Sequence, residues 1–349
     1  MHFSEIMTVT ISAKHGVSMS DDNDNETCCS DNKDCDRQTN NLLKEFKPGP
    51  GEDTKEKKDD DKKPKICYQR AKKLFTYKEA PEYIKHNTFI LSGYRGILDT
   101  HLCLESIFWW TNETINIWSH IFGFVLFLAV TIRDVWSLDV YAFIGDKLIV
   151  GFVLICFQVC MVLSALYHTF SCRSERDCDL FLSFDLFGIA LSLLAIYTSG
   201  IYYAFWCDPG LLNFYIFTVT IIFAIAMLLH VPRFNVGPNV RMLVFVGWAA
   251  YGVVPTLHWA MHMGWFEHPL VRLLLPRVAG MYLISGTAFA VYITKVPERF
   301  CSGKFDYLGH SHQWWHLFVV AALYYWHCTG MIYLEYRFNH ACASHMTLI

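Results

Sequence analysis

His312 and His316 stand four residues apart in Tyr307-Leu308-Gly309-His310-Ser311-His312-Gln313-Trp314-Trp315-His316. On a helix the two imidazoles face the same way, about one turn apart. Helical zinc sites use this spacing to present two nitrogens to one metal. The pair opens the last long apolar run of the chain, where a polar side chain needs a partner. The chain has 16 histidines, so the spacing alone fits two interfacial histidines as well as it fits a metal. Two further groups could complete a site: His168, at the end of Ser164-Ala165-Leu166-Tyr167-His168, and the isolated carboxyl of Asp185.

The elements that would position these groups are membrane spans. The chain is 53% hydrophobic and 17% charged, against about 25% charged in a soluble domain. Most of the charge precedes Asn112. Seven apolar runs follow, near 114–133, 147–171, 180–205, 211–230, 240–261, 274–294 and 312–334. Each approaches the roughly 20 residues needed to cross a bilayer. The expected fold is an all-α membrane protein of seven transmembrane helices. Pro255 predicts a kink in the fifth span, and Pro276 a late start for the sixth.

Residues 1–68 read as a disordered tail with charge of both signs and little to bury. Residues 69–113 form a juxtamembrane segment. In it Asp99 caps a short interfacial helix whose apolar stripe runs through Leu102, Ile107 and Phe108. Residues 114–334 are the membrane domain, and 335–349 a short lumenal or extracellular tail. The net charge of -3 and the lack of a dominant basic patch argue against a nucleic-acid partner. Cysteines such as Cys156, Cys160 and Cys328 lie inside apolar runs, where they read as small buried hydrophobes. Cys28, Cys29 and Cys35, in the tail, lack ligand histidines in a metal-knuckle pattern.

Loop charge sets the orientation. Arg173, Arg176, Arg233, Arg241, Lys295, Arg299 and Lys304 fall on the side of the N-terminus; Arg133, Lys147, Arg272, Arg277 and Arg337 fall opposite. This bias places the N-terminus in the cytosol and the C-terminus outside or in a lumen. Span seven then enters from the cytosol with His312 and His316 in its first turns. Span two ends there just after His168, and span three begins there shortly before Asp185. At about 1.5 Å per residue, all four groups lie roughly 4–10 Å below one surface. Three imidazoles at one depth suit zinc, which binds three protein ligands and keeps an open position for water. Such a water ionises near neutral pH. Asp185 could hold it, act as its base or orient an imidazole, and Ser164, one turn before His168, could contact it. The alternative is Asp185 paired with one histidine and no metal. Asn112, Asn116 and His120 form a stripe on span one beside Glu113, which hydrogen bonding between helices explains without chemistry. His327 is three turns beyond His316, too far to share its metal.

Four stretches together resemble the progestin and adipoQ receptor family, which includes the adiponectin receptors. They are Asn112-Glu113-Thr114-Ile115-Asn116-Ile117-Trp118-Ser119-His120, Ser164 to His168, Asp185 with Gly188-Ile189, and His312-Gln313-Trp314-Trp315-His316. The resemblance runs from about Leu74 to the C-terminus. It implies a seven-helix fold with a cytosolic N-terminus and a zinc ion held by His168, His312 and His316, with Asp185 as outer partner. The wider superfamily includes alkaline ceramidases, which implies a lipid amidase activity; in a hydrolase acting on a sphingolipid or other lipid, Asp185 and Ser164, by their position beside the histidines, would be the catalytic pair. Leu186 departs from the family, which usually has Tyr after the span-three Asp. Cys156 to Met161, Pro255-Thr256-Leu257-His258-Trp259 and Lys295-Val296-Pro297-Glu298-Arg299 are similar to the branch that tethers Raf kinase to the Golgi. That similarity implies a Golgi membrane protein, with the plasma membrane as the other compartment, damping Ras-Raf-MAPK signalling.

Overall fold

The computed structural model describes residues 72–138, 142–229, 236–340 and 342. The charged tail of residues 1–68 and its cysteines lie outside them. Among these residues seven helical stretches are long and apolar enough to cross a membrane, so the chain is a multi-pass membrane protein. In chain order the helices are α1 (Thr100–Glu105), α2 (Thr114–Leu138), α3 (Ile144–Phe170), α4 (Glu175–Ala204), α5 (Pro209–Leu228), α6 (Pro238–Tyr251), α7 (Val253–His262), α8 (Pro269–Thr294) and α9 (Ser311–Asn339). Spans one to four are α2 to α5, span five is α6 with α7, and spans six and seven are α8 and α9. The last helix runs to Asn339, past the expected end near 334.

Spans one, two, three and seven bury a larger share of their apolar stretch than spans four, five and six. They form the centre of the bundle, and the site residues sit on them. Spans two and three pack along their length, which Gly188 permits. A Cβ there would stand 3.0 Å from the Cα of Cys160, backbone that cannot rotate aside. Small residues at such crossings let two helices approach closely in a membrane. Gly188→Val is expected to push the pair apart, at an overpacking cost of about 1–3 kcal/mol. A thermal midpoint equal to wild type in detergent would refute that role.

The fifth span breaks where Pro255 predicts. Proline has no N–H for the carbonyl of Tyr251, so the ladder stops and restarts after Gly252. Tyr197 of span three donates its hydroxyl to the carbonyls of Trp248 and Ala249, and Tyr282 of span six donates to Ala249 at 3.3 Å. The expectation for span six needs correction. Its helix begins at Pro269, not near Pro276, which lies inside it. His268 caps the start, accepting from the N–H of Leu270 at 3.2 Å. Leu270, Val271 and Leu274 are fully buried in this added stretch. Their packing offsets the roughly 3 kcal/mol that an interior proline costs.

The juxtamembrane segment is ordered and locked to the bundle. Asp99 caps α1, accepting from the N–H of Leu102 at 2.8 Å, and a 3-10 turn continues through Ser106–Phe108. Gly93, at φ +87°, turns the chain so that its carbonyl accepts from the N–H of Asn112 at 3.0 Å. The loop between spans six and seven closes over the segment. Asp306 accepts from the N–H of Leu91 and the hydroxyl of Ser92, at 2.9 and 2.6 Å. Glu298, fully buried, accepts from Asn87 Nδ2 at 2.9 Å and from the N–H of Ser311 at 2.8 Å. A carboxylate on the first N–H of α9 satisfies an orphan donor and suits the positive end of that helix.

Outside this end of the molecule, Cys207 and Cys342 form a disulfide. It ties the turn between spans three and four to the chain beyond span seven. Nothing in the cysteine spacing announced this pairing.

Candidate metal centre

The structure brings His168, His312 and His316 together. One ring nitrogen from each lies within 4.8 Å of the others, and no other such group of metal-binding side chains occurs among the described residues. His168 comes from the last turn of span two, and His312 and His316 from the first turns of span seven. His168 and His316 are buried, and His312 is partly so.

The outward nitrogens of two of these rings have partners. His168 Nδ1 lies 2.7 Å from Glu113 Oε2. His316 Nδ1 lies 3.1 Å from the carbonyl of Asn116 and 3.1 Å from Ser119 Oγ. A carboxylate and a carbonyl can only accept, so both Nδ1 atoms carry a proton, and in the neutral rings both Nε2 atoms present lone pairs. His168 Nε2 and His312 Nε2 face each other at 3.3 Å. A cation between the rings would satisfy both nitrogens, as would a proton on His312. The donor set therefore fits a metal ion, with ring orientation held by outer hydrogen bonds as in metalloprotein sites generally.

Glu113 is the group the sequence left as a bystander. Burial pushes its carboxyl up, but His168, Arg95 and Asn116 outweigh that and hold it below the ordinary carboxylate range. It therefore stays an anion and an acceptor. Asn116 donates to it at 2.7 Å, so the span-one stripe buttresses the histidines. His120, on the same stripe, stacks on His316 with ring centroids 3.9 Å apart. The signal was present: a carboxylate one turn before Asn116 at the mouth of a span demands a partner.

Arg95 was not foreseen at all. It is buried, and its Nη1 donates to Ser106 Oγ at 2.8 Å and to the carbonyl of Thr169 at 3.0 Å. Its Nη2 donates to the carbonyl of His168 itself. These carbonyls end the span-two helix, where a cation is electrostatically favoured. One guanidinium thus fastens the juxtamembrane segment to the backbone that carries one of the three clustered imidazoles.

Asp185 and Ser164 occupy a different position. Asp185 lies against Ser164 on span two and within the field of His168, while the Nδ1 of His168 belongs to Glu113. Span three begins at Glu175, so Asp185 sits ten residues inside it, deeper than the run starting near 180 suggested. Ser164 is one turn deeper in span two than His168. The pair therefore forms a polar step behind the three imidazoles. His327 is elsewhere, 3.0 Å from Asp134.

The sequence profile of the Haemolysin-III related family matches residues 108–327, which include every histidine of the site. The chain is 40% identical over 293 residues to human progestin and adipoQ receptor family member 3, covering 81% of this chain and 93% of that protein. The mouse counterpart matches to the same extent. The Drosophila melanogaster adiponectin receptor protein is 31% identical over 74% of this chain and 59% of its own length.

Proposed function

Because this chain belongs to the progestin and adipoQ receptor family of Haemolysin-III related membrane proteins, we propose that it is a zinc-braced seven-span signalling protein whose juxtamembrane segment is a docking platform. The observation that carries this reading is the double fastening of that segment to one imidazole. Arg95 binds the backbone of His168 and Glu113 binds its ring. A zinc ion on His168, His312 and His316 would supply Lewis-acid binding that ties spans two and seven together. The chain's own residues do the rest: Glu113 and Asn116 orient the rings, and Arg95, Glu298 and Asp306 pass that rigidity to residues 72–110. Loss of the Glu113 carboxylate removes one orienting bond, so Glu113→Ala is expected to weaken zinc binding by about 10- to 100-fold. A chelator-competition titration reads this directly, and unchanged affinity would exclude the orienting role.

The resemblance to the Raf-tethering branch supplies the partner: Raf kinase, held at the Golgi and kept from growth-factor signalling. The exposed Lys73, Lys78, Glu79 and Glu82 offer the segment's polar face to it. Imaging of Raf with the full chain, and with a chain beginning at Lys72, tests the idea. Retention by both places the dock on the platform, and a Raf distribution unaltered by the full chain sinks the tether.

The tether requires the platform to face the cytosol, which loop charge favours. The cysteines support the same orientation. Disulfides persist in oxidising compartments and are rare in the cytosol. The Cys207–Cys342 disulfide lies beyond the far ends of spans three and seven, whereas Cys103 and Cys172, on the platform side, are free thiols. Non-reducing peptide mapping is expected to recover Cys207 and Cys342 linked. A glycan acquired at an engineered site in the platform would reverse the orientation.

A second reading, a zinc-dependent lipid amidohydrolase, is favoured by Ser164 and Asp185 standing beside His168. In that reaction Asp185 would hold a proton and Ser164 would position the amide. Purified protein that releases no fatty acid from ceramides across acyl lengths would remove it.

A further inference from the structure

Cys103 and Cys172 lie with their sulfurs 3.7 Å apart, 69 residues apart in the chain. Cys103 is on α1 of the juxtamembrane segment, and Cys172 is in the turn just after span two. Both are buried, packed with Leu98 and flanked by Leu102, Trp109 and Phe170. No part of the metal centre uses them. A disulfide needs a separation of about 2.05 Å, so closing this one asks for a shift of side-chain size.

We propose that Cys103 and Cys172 are a redox-active dithiol that a hydroperoxide converts to a reversible disulfide, pinning α1 to the end of span two. Three features of the surroundings support it. The first is polarity: the two sulfurs lie within hydrogen-bonding distance of each other, and the Arg95 guanidinium lies near both. Cys172 is thereby lowered to about 7, while Cys103 is raised by the same contact and by burial. A lowered thiol is the attacking partner in such pairs. The second is access. α1 has only six residues and one cap, with Thr100, His101 and Leu104 exposed on its outer side. A helix this short is not stable alone and opens locally more easily than the spans. The third is connection. Ser106 donates to the carbonyl of Cys103 at 2.7 Å and itself accepts from Arg95. The pair therefore flanks the clamp that holds the last turn of span two.

The chemistry balances. The Cys172 thiolate attacks one peroxide oxygen, the O–O bond breaks, and the other oxygen leaves with a proton as water or an alcohol. Cys172 is now a sulfenic acid. The Cys103 sulfur attacks it, the S–O bond breaks, and the departing hydroxide takes the Cys103 proton as a second water. Two thiols lose two electrons and the peroxide gains them. Reduction by a dithiol reverses the bond, and a partner sulfur held this close captures the sulfenic acid before it oxidises further.

The test uses the full chain in detergent or membranes, treated with graded hydrogen peroxide, then alkylated and mapped by mass spectrometry. The expected result is parallel loss of the alkylated Cys103 and Cys172 peptides, with gain of one cross-linked peptide lighter by two hydrogens. Dithiothreitol restores both thiols. In Cys103→Ser, a dimedone adduct is expected on Cys172, where the resolving sulfur is gone. The proposal is overturned if both cysteines stay alkylatable at peroxide levels that oxidise the partly exposed Cys301. A bridge from Cys172 to Cys178, or oxidation of each sulfur singly past the sulfenic stage, overturns it equally. The outcome does not depend on zinc content, so it separates from a failure of the metal reading.

Discussion

Replacing His168 with alanine is expected to remove zinc from the purified protein. Wild type should carry about one zinc per chain, as a three-histidine site with one open position predicts, and the variant close to none. Three features make His168 the most informative of the three histidines. It is the only one of the three from span two, its ring is the one Glu113 orients, and its carbonyl is one of the two that Arg95 holds. Losing His312 or His316 leaves two ligands whose spans still meet, whereas losing His168 removes the link between spans. The variant therefore loses both metal and the join between spans two and seven. Elemental analysis after gel filtration provides the first readout, and thermal midpoint with and without chelator the second. If wild type contains no metal and chelator leaves its midpoint unchanged, the cluster is a packed polar group and the brace does not exist.

Arg95→Ala is expected to lower stability by about 3 kcal/mol or more, which would be among the largest single effects outside the spans. Hydrogen bonds to a charged donor are each worth about 1.5–3 kcal/mol, and removing the donor leaves buried carbonyls unpaired. Here the stranded acceptors are the carbonyls of His168 and Thr169 and the hydroxyl of Ser106. Arg95→Lys should recover little, since a single ammonium cannot span the fork that the guanidinium fills. Thermal unfolding in detergent measures the loss, and limited proteolysis within residues 72–110 shows whether the platform detaches first. An alanine variant that melts with wild type and keeps its platform protected would mean the clamp is ornamental.

How much was legible in advance differs from residue to residue. The seven spans follow from apolar runs of sufficient length, because lipid demands that each backbone group be satisfied within its own helix. The kink at Pro255 follows from one missing N–H. The start of span six did not follow, because Pro276 carries a local cost that burial of Leu270, Val271 and Leu274 outweighs. Burial is a property of neighbours, which a linear pattern does not name.

The same division runs through the site. The sequence alone determined that His312 and His316 share a face, that His168 and Asp185 end or begin spans at the same side, and that a carboxyl there needs company. Helix periodicity and bilayer thickness suffice for this, because both act along one dimension. Only the tertiary structure decided that Glu113 holds His168, that Asn116 and Ser119 hold His316, and that Arg95 and Cys103 reach the end of span two. Those contacts join side chains many residues apart through the direction each ring or guanidinium points. Direction is settled by how helices pack against one another, which no spacing within a single helix records.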